Sequence, residues 1–233
     1  FWKRGERDAQ AYAKAYSAYD GIIWDTACAL LLRLQKATGT PLHLLHTQSQ
    51  GVVEMLRKAR AEGQDVSAEL NPWALFLGND WNNIVRLGSY ALSYYIPEKN
   101  TQPLWDALAD GTIDIISTDH GPHTKEEKEP GWTDGWKAHT GTPSAQFYVP
   151  LFLGAAVEGL ISLERVVDLI ATQPASSRKM ARPQASGRTS RSSSRRIGPP
   201  SRCARSLRAP RSSSTVRWRG RLRPRSSSLP ASG

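Results

Sequence analysis

Cysteine is nearly missing from this chain of 233 residues: Cys28 and Cys203 are the two present, and they lie far apart. Two distant thiols make no disulfide framework, so a reducing, cytoplasmic compartment is expected. No apolar run approaches the ~18 residues of a membrane-spanning helix, and no membrane partner is expected. An initiator methionine and a secretory leader are missing as well. The chain opens Phe1-Trp2-Lys3, as a piece of something longer would. The most one-sided absence is of acid. Residues 171–233 hold 16 of the 31 lysines and arginines and no Asp or Glu, so residues 1–170 carry 15 basic against all 21 acidic residues, a net of −6. A formal charge of +10 normally suggests an anionic partner, but here it describes only the end of the chain. That end lacks interleaved aromatics apart from Trp218, and it has no nucleic-acid-binding motif. No specific nucleic-acid partner is expected, only salt-sensitive, nonspecific contact.

Residues 176–233 contain 16 Ser clustered with Arg and Pro, without apolar periodicity. Such a segment buries too little surface to offset chain entropy and is expected to be disordered. The domain boundary is therefore placed at 175/176.

The body alternates strand and helix. Residues 22–34 (IIWDTACALLLRL) are apolar on more than one face and predict a buried helix, stopped at Gly39-Thr40-Pro41. Residues 42–46 predict a short strand. Val52, Val53, Leu56 and Ala59 have helical spacing. Residues 66–70 predict a second strand, ended by Asn71-Pro72, and residues 113–117 a third, after a helix over 104–108. Helices over 147–157 and 163–170 close the body. Apolar strands joined by helices need cover on both faces, which argues for a parallel α/β sheet. His46, Asn71 and Asp119 all fall at the C-terminal ends of strands. Barrels and open doubly wound sheets both place their chemistry there, so position does not choose between them.

The segment Ser117-Thr118-Asp119-His120-Gly121-Pro122-His123 carries the strongest chemical signal. A carboxylate supplies a hard oxygen ligand or a general base, and imidazoles supply nitrogen for zinc. Spacing alone leaves open a loop with a capping Asp and two surface histidines. His46, before the polar turn Thr47-Gln48-Ser49, reads by itself more readily as a structural residue than as a ligand. His43, three positions earlier, is expected on the opposite face of its strand and is not taken as a ligand. Asn71 reads most simply as a strand terminator. Trp132 and Trp136 are candidates to roof a pocket.

Four segments in order, LHLLHTQS, ARAEGQDVSAELNPWAL, PLWDALADGTIDIISTDHGPHTKEEKE and PLFLGAAVEGLISLERVVDLIATQPA, resemble the C-terminal half of a cyclic amidohydrolase of the dihydroorotase, hydantoinase and allantoinase group. The Asp-His-x-Pro-His run followed by Glu-Glu-Lys is most similar to dihydroorotase. The resemblance implies a distorted (β/α)8 barrel of the metal-dependent type, represented by its last three strands and their helices, with two zinc ions in the intact site. It implies that His46 and Asp119 are metal ligands and that Asp119 is also the catalytic carboxylate, taking a proton from the attacking water. It implies that His123 helps hold a substrate carboxylate, with Asn71 a further substrate-binding candidate. The substrate would be a small cyclic amide, in an enzyme group that is often homo-oligomeric. The remaining ligands would precede Phe1, so the isolated chain is expected to be inactive. Trp73 stands where the group often has His, and Ser93-Tyr94-Tyr95-Ile96-Pro97 replaces a Pro-Pro-Leu-Arg-like segment, which leaves a hydantoinase, dihydropyrimidinase or allantoinase type open. The Ser/Arg/Pro end departs from the group's Gly- and Asp-rich continuation, as a reading-frame shift would produce. An inactive relic or a basic-tailed nucleic-acid-associated protein are the readings from other classes.

Overall fold

A computed structural model describes residues 4–19, 21–90 and 95–180, with side chains to residue 176. Three strands, β1 (Leu42–Leu44), β2 (Val66–Leu70) and β3 (Ile115–Ile116), form a parallel sheet in the order β1-β2-β3. Leu42 pairs with Val66 and Leu44 with Ala68, while Glu69 pairs with Ile115 and Leu70 with Ile116. The flanking residues continue the ladder beyond the strands. Thr47 N donates to Glu69 O at 2.8 Å, Asp114 N to Ala68 O at 3.0 Å and Ser117 N to Leu70 O at 3.0 Å.

Ten helices accompany the sheet among the described residues: α1 (Ala9–Ser17), α2 (Ile22–Thr38), α3 (Gln50–Ala61), α4 (Trp73–Phe76) and α5 (Trp81–Leu87) come first. They are followed by α6 (Thr101–Asp110), α7 (Lys125–Lys128), α8 (Tyr148–Val157), α9 (Leu163–Val167) and α10 (Gln173–Met180). Their ends follow local chemistry. Ser49 caps α3 by accepting from Val52 N, and Ser162 caps α9 through Arg165 N. Gly39 and Gly111 end α2 and α6 in the left-handed conformation that favours glycine. A π-helical turn over Asp168–Thr172 joins α9 to α10, which runs past the boundary expected at 175. The rest of the segment expected to be disordered lies outside the described residues. None of the described helices is long and apolar enough to cross a membrane.

The side chains of Leu44, Val52, Leu56, Val66 and Ala68 pack with Leu32 under α2 and α3. A larger cluster joins Leu70, Ile116, Leu104, Leu108, Phe152 and Leu169. The expectation that α2 is buried is not met. Leu32 is buried, but Ile22, Leu30 and Leu34 are more than half exposed. The helix makes its main contacts with α3 and β1, and these side chains stay open to solvent. Val157, Leu163 and Val167 are likewise exposed at α8 and α9.

Two arginines fix the approach to β3, which has only two residues of its own. Arg60 donates to Val66 O at 3.2 Å and Gly111 O at 2.7 Å and pairs with Asp114. Asp114 in turn accepts from Ala68 N at 2.8 Å. Arg165 donates to Leu108 O at 2.7 Å and Ile113 O at 2.9 Å while pairing with Asp168. The turn over 110–114 is thus held from both sides, and with it the starting point of the segment that carries Asp119.

Candidate functional site

At the C-terminal edge of the sheet the chain leaves each strand sharply. His46 (φ 53°) and Asp119 (φ 48°) are the two non-glycine residues of positive φ among the described residues. Left-handed backbone costs an L-residue about 1–2 kcal/mol, less for Asp, and such positions cluster at functional sites. The two distortions turn the side chains toward each other: His46 Nε2 lies 3.8 Å from Asp119 Oδ1. Asn71, buried at the end of β2, donates from Nδ2 to Asp119 Oδ2 at 3.3 Å. The three residues expected from strand ends are therefore brought together.

Sequence reasoning missed Glu69. On β2 it sits below this cluster, with Oε1 3.5 Å from His46 Nδ1 and Oε2 3.5 Å from His43 Nε2. These are ion-pair distances rather than hydrogen bonds, and His46 Nδ1 has no hydrogen-bond partner. The expectation that His43 and His46 face opposite sides is overturned. Alternation stops at Leu44, and the left-handed turn at His46 brings both rings to one carboxylate. Burial by itself raises the pKa of Glu69, but the nearness of His43, Ser117 and His46 outweighs it and holds the carboxyl below its usual value. The available signal was the one acidic residue in β2. His43 is further fixed by a 2.8 Å bond between Nδ1 and Ser67 Oγ.

The other nominated residues lie elsewhere. His120 Nδ1 accepts from the backbone N–H of Ser144 at 3.0 Å and of Ala145 at 3.1 Å, so its ring anchors the loop that follows. Beside Asp119, a largely apolar groove is lined by Asn71, Trp73, Leu77, Thr142, Phe147 and Leu151. His123 is not on that groove; it pairs with Glu127 at 3.4 Å and its ring lies 5.1 Å from that of His139. Trp132 and Trp136 do not roof the groove. Trp132 packs edge-on to Tyr90, and Trp136 edge-on to Tyr12.

The edge offers a pair of donors for a cation. His46 Nε2 and Asp119 Oδ1 are slightly farther apart than the ~3.4 Å that separates ligand atoms around a tetrahedral zinc ion. Asn71 Oδ1 is buried there with no hydrogen-bond partner. An imidazole nitrogen and a carboxylate oxygen, with an adjoining buried acceptor, fit a zinc-type ion as two of its ligands.

No protein-family model matches the chain. An L-hydantoinase of Paenarthrobacter aurescens is 36% identical over 175 residues, 73% of this chain and 37% of that protein. A dihydroorotase of Halobacterium salinarum is 38% identical over 141 residues, 59% of this chain and 31% of that protein. The solved L-hydantoinase (dihydropyrimidinase) of Arthrobacter aurescens superposes with a TM-score of 0.66 at 33% identity, over 75% of this chain and 38% of that one. The chain thus spans well under half the length of these relatives.

Proposed function

We propose that this chain, which belongs to the cyclic amidohydrolase family, supplies the proton-accepting edge of a hydrolase acting on a small cyclic amide. Its three strands would be the last three of a (β/α)8 barrel. The observation that carries the reading is the convergence of His46, Asn71 and Asp119 at one sheet edge through two left-handed turns. His46 and Asp119 would hold zinc, with the other ligands drawn from the part of the relatives that this chain does not match. Bound zinc makes water acidic enough to be a nucleophile near neutral pH. Asp119 accepts the proton of the attacking water and returns it to the leaving nitrogen. Asn71, donating to Oδ2, fixes the carboxylate so that Oδ1 faces His46. Glu69 orients His46 from beneath.

Dihydroorotate is the first substrate class, because the Asp-His-x-Pro-His run provides His123 for a substrate carboxylate. A hydantoin is the second. It is favoured by the longer match to the L-hydantoinase and by the position of His123 away from the groove beside Asp119. A chimera tests both. Residues 1–175 replace the matching segment of the L-hydantoinase, and turnover of dihydroorotate and of hydantoin is measured. Turnover of either ring, reduced about 10²–10⁴-fold by Asp119→Asn, is the expected result. An Asp119→Asn chimera within a few-fold of its parent would sink the assignment. The chain alone, with two ligands, should turn over neither ring.

A further inference from the structure

We infer that His123, Glu127 and His139 form a second binding site for a divalent transition-metal ion, separate from the His46–Asp119 edge. One ligand atom from each of the three lies within 4.8 Å of the others. Local structure produces the convergence. Thr124 and Glu127 make a reciprocal cap on α7, Thr124 N donating to Glu127 Oε2 at 2.9 Å and Glu127 N to Thr124 Oγ1 at 3.3 Å. The cap holds Glu127 back over the start of the helix, where His123 Nδ1 approaches Oε2 to 3.4 Å. His139 is brought in by its own backbone, its N–H donating to Glu127 O at 3.4 Å. The two imidazole rings stand 5.1 Å apart with planes inclined at 43°.

Two imidazoles and one carboxylate are the donor set of open, three-ligand zinc sites, and the nitrogen majority selects Zn²⁺, Ni²⁺ or Cu²⁺ over Ca²⁺ or Mg²⁺. Ligand atoms around tetrahedral zinc are about 3.4 Å apart. The spread of up to 4.8 Å must contract by a little over an ångström. Glu127 and His139 are exposed and His123 is partly so, which leaves their side chains free to rotate that far. Oε2 of Glu127 serves the cap and is the oxygen that faces His123, so a rotation of the carboxylate would offer Oε1 to the ion. Because His123 would be a ligand, metal at this site and a substrate carboxylate would compete for the same ring.

The test uses the full chain and Zn²⁺ itself, titrated in competition with a chromophoric chelator, with histidine side-chain NMR as the second readout. The expected result is saturable binding of zinc that weakens at least tenfold in His139→Ala and in Glu127→Gln and persists in His46→Ala. The NMR resonances of His123 and His139 should move together on addition of zinc, whatever the variants do to stability. Unchanged affinity in His139→Ala would overturn the inference. So would zinc shifts confined to His46, which would place the ion at the sheet edge and leave the proposed chemistry standing. Absence of saturable binding in the parent chain would also overturn it and show an ordinary surface cluster.

Discussion

Arg165→Met removes a guanidinium while keeping an apolar stem of similar reach, and its cost follows from three contacts. The bonds from Arg165 to Leu108 O (2.7 Å) and Ile113 O (2.9 Å) are made by a charged donor. Each such bond contributes about 1.5–3 kcal/mol. The pair with Asp168, three residues on, adds about 0.3–0.5 kcal/mol, the usual size for an ion pair at that helical spacing. Water partly re-solvates the two carbonyls in the variant, so the lower end applies and a loss of about 3 kcal/mol is expected. That is a large part of the ~5–15 kcal/mol that holds a domain together. Urea unfolding should show a lower midpoint at unchanged slope. Arg165→Lys keeps the charge but presents one donor point rather than a fork, and should recover about half of the loss. Hydrogen exchange should accelerate at Ser117 N–H, which bonds to Leu70 O just past β3. A loss below about 1 kcal/mol in Arg165→Met, or Lys performing as well as Arg, would refute the view that this side chain fixes the approach to β3.

Glu69 is held below its ordinary value of 4.5, so its contribution to stability is fully present above that pH and is lost as pH falls through the lower folded value. The difference in unfolding free energy between the parent and Glu69→Gln should therefore shrink on acidification below pH 4.5; a difference that grows on acidification in that range contradicts this. Gly88 has φ 49°, and a Cβ there would lie 2.3 Å from the Trp132 ring. Gly88→Ala should cost about 2 kcal/mol or more and disturb tryptophan fluorescence, and a thermally neutral variant would show that the turn relaxes freely.

The sheet was legible because each strand is a short apolar run closed by a turn signal, and the residues at the strand ends met as that pattern implied. What failed were inferences that need neighbours. The apolar faces of α2 predict burial only if something lies on each of them, and Ile22, Leu30 and Leu34 stay open to solvent. His43 and His46 were assigned to opposite faces by alternation, which one left-handed residue cancelled. Glu69 was passed over because a single acid in a strand says nothing of two imidazoles brought to it from β1 and the turn beyond. His139 was invisible for the same reason: its partners are set by a backbone bond to α7 that no spacing encodes.

The left-handed turns at His46 and Asp119 have a consequence for selection. At both positions glycine would relax the backbone, and at both it would delete a donor from the sheet edge. Conformational ease and chemistry therefore compete for the same two codons. A library of variants chosen for thermal resistance alone should drift toward Gly or Asn there, while one chosen for turnover in a complete barrel should keep His and Asp and collect its stabilising changes elsewhere.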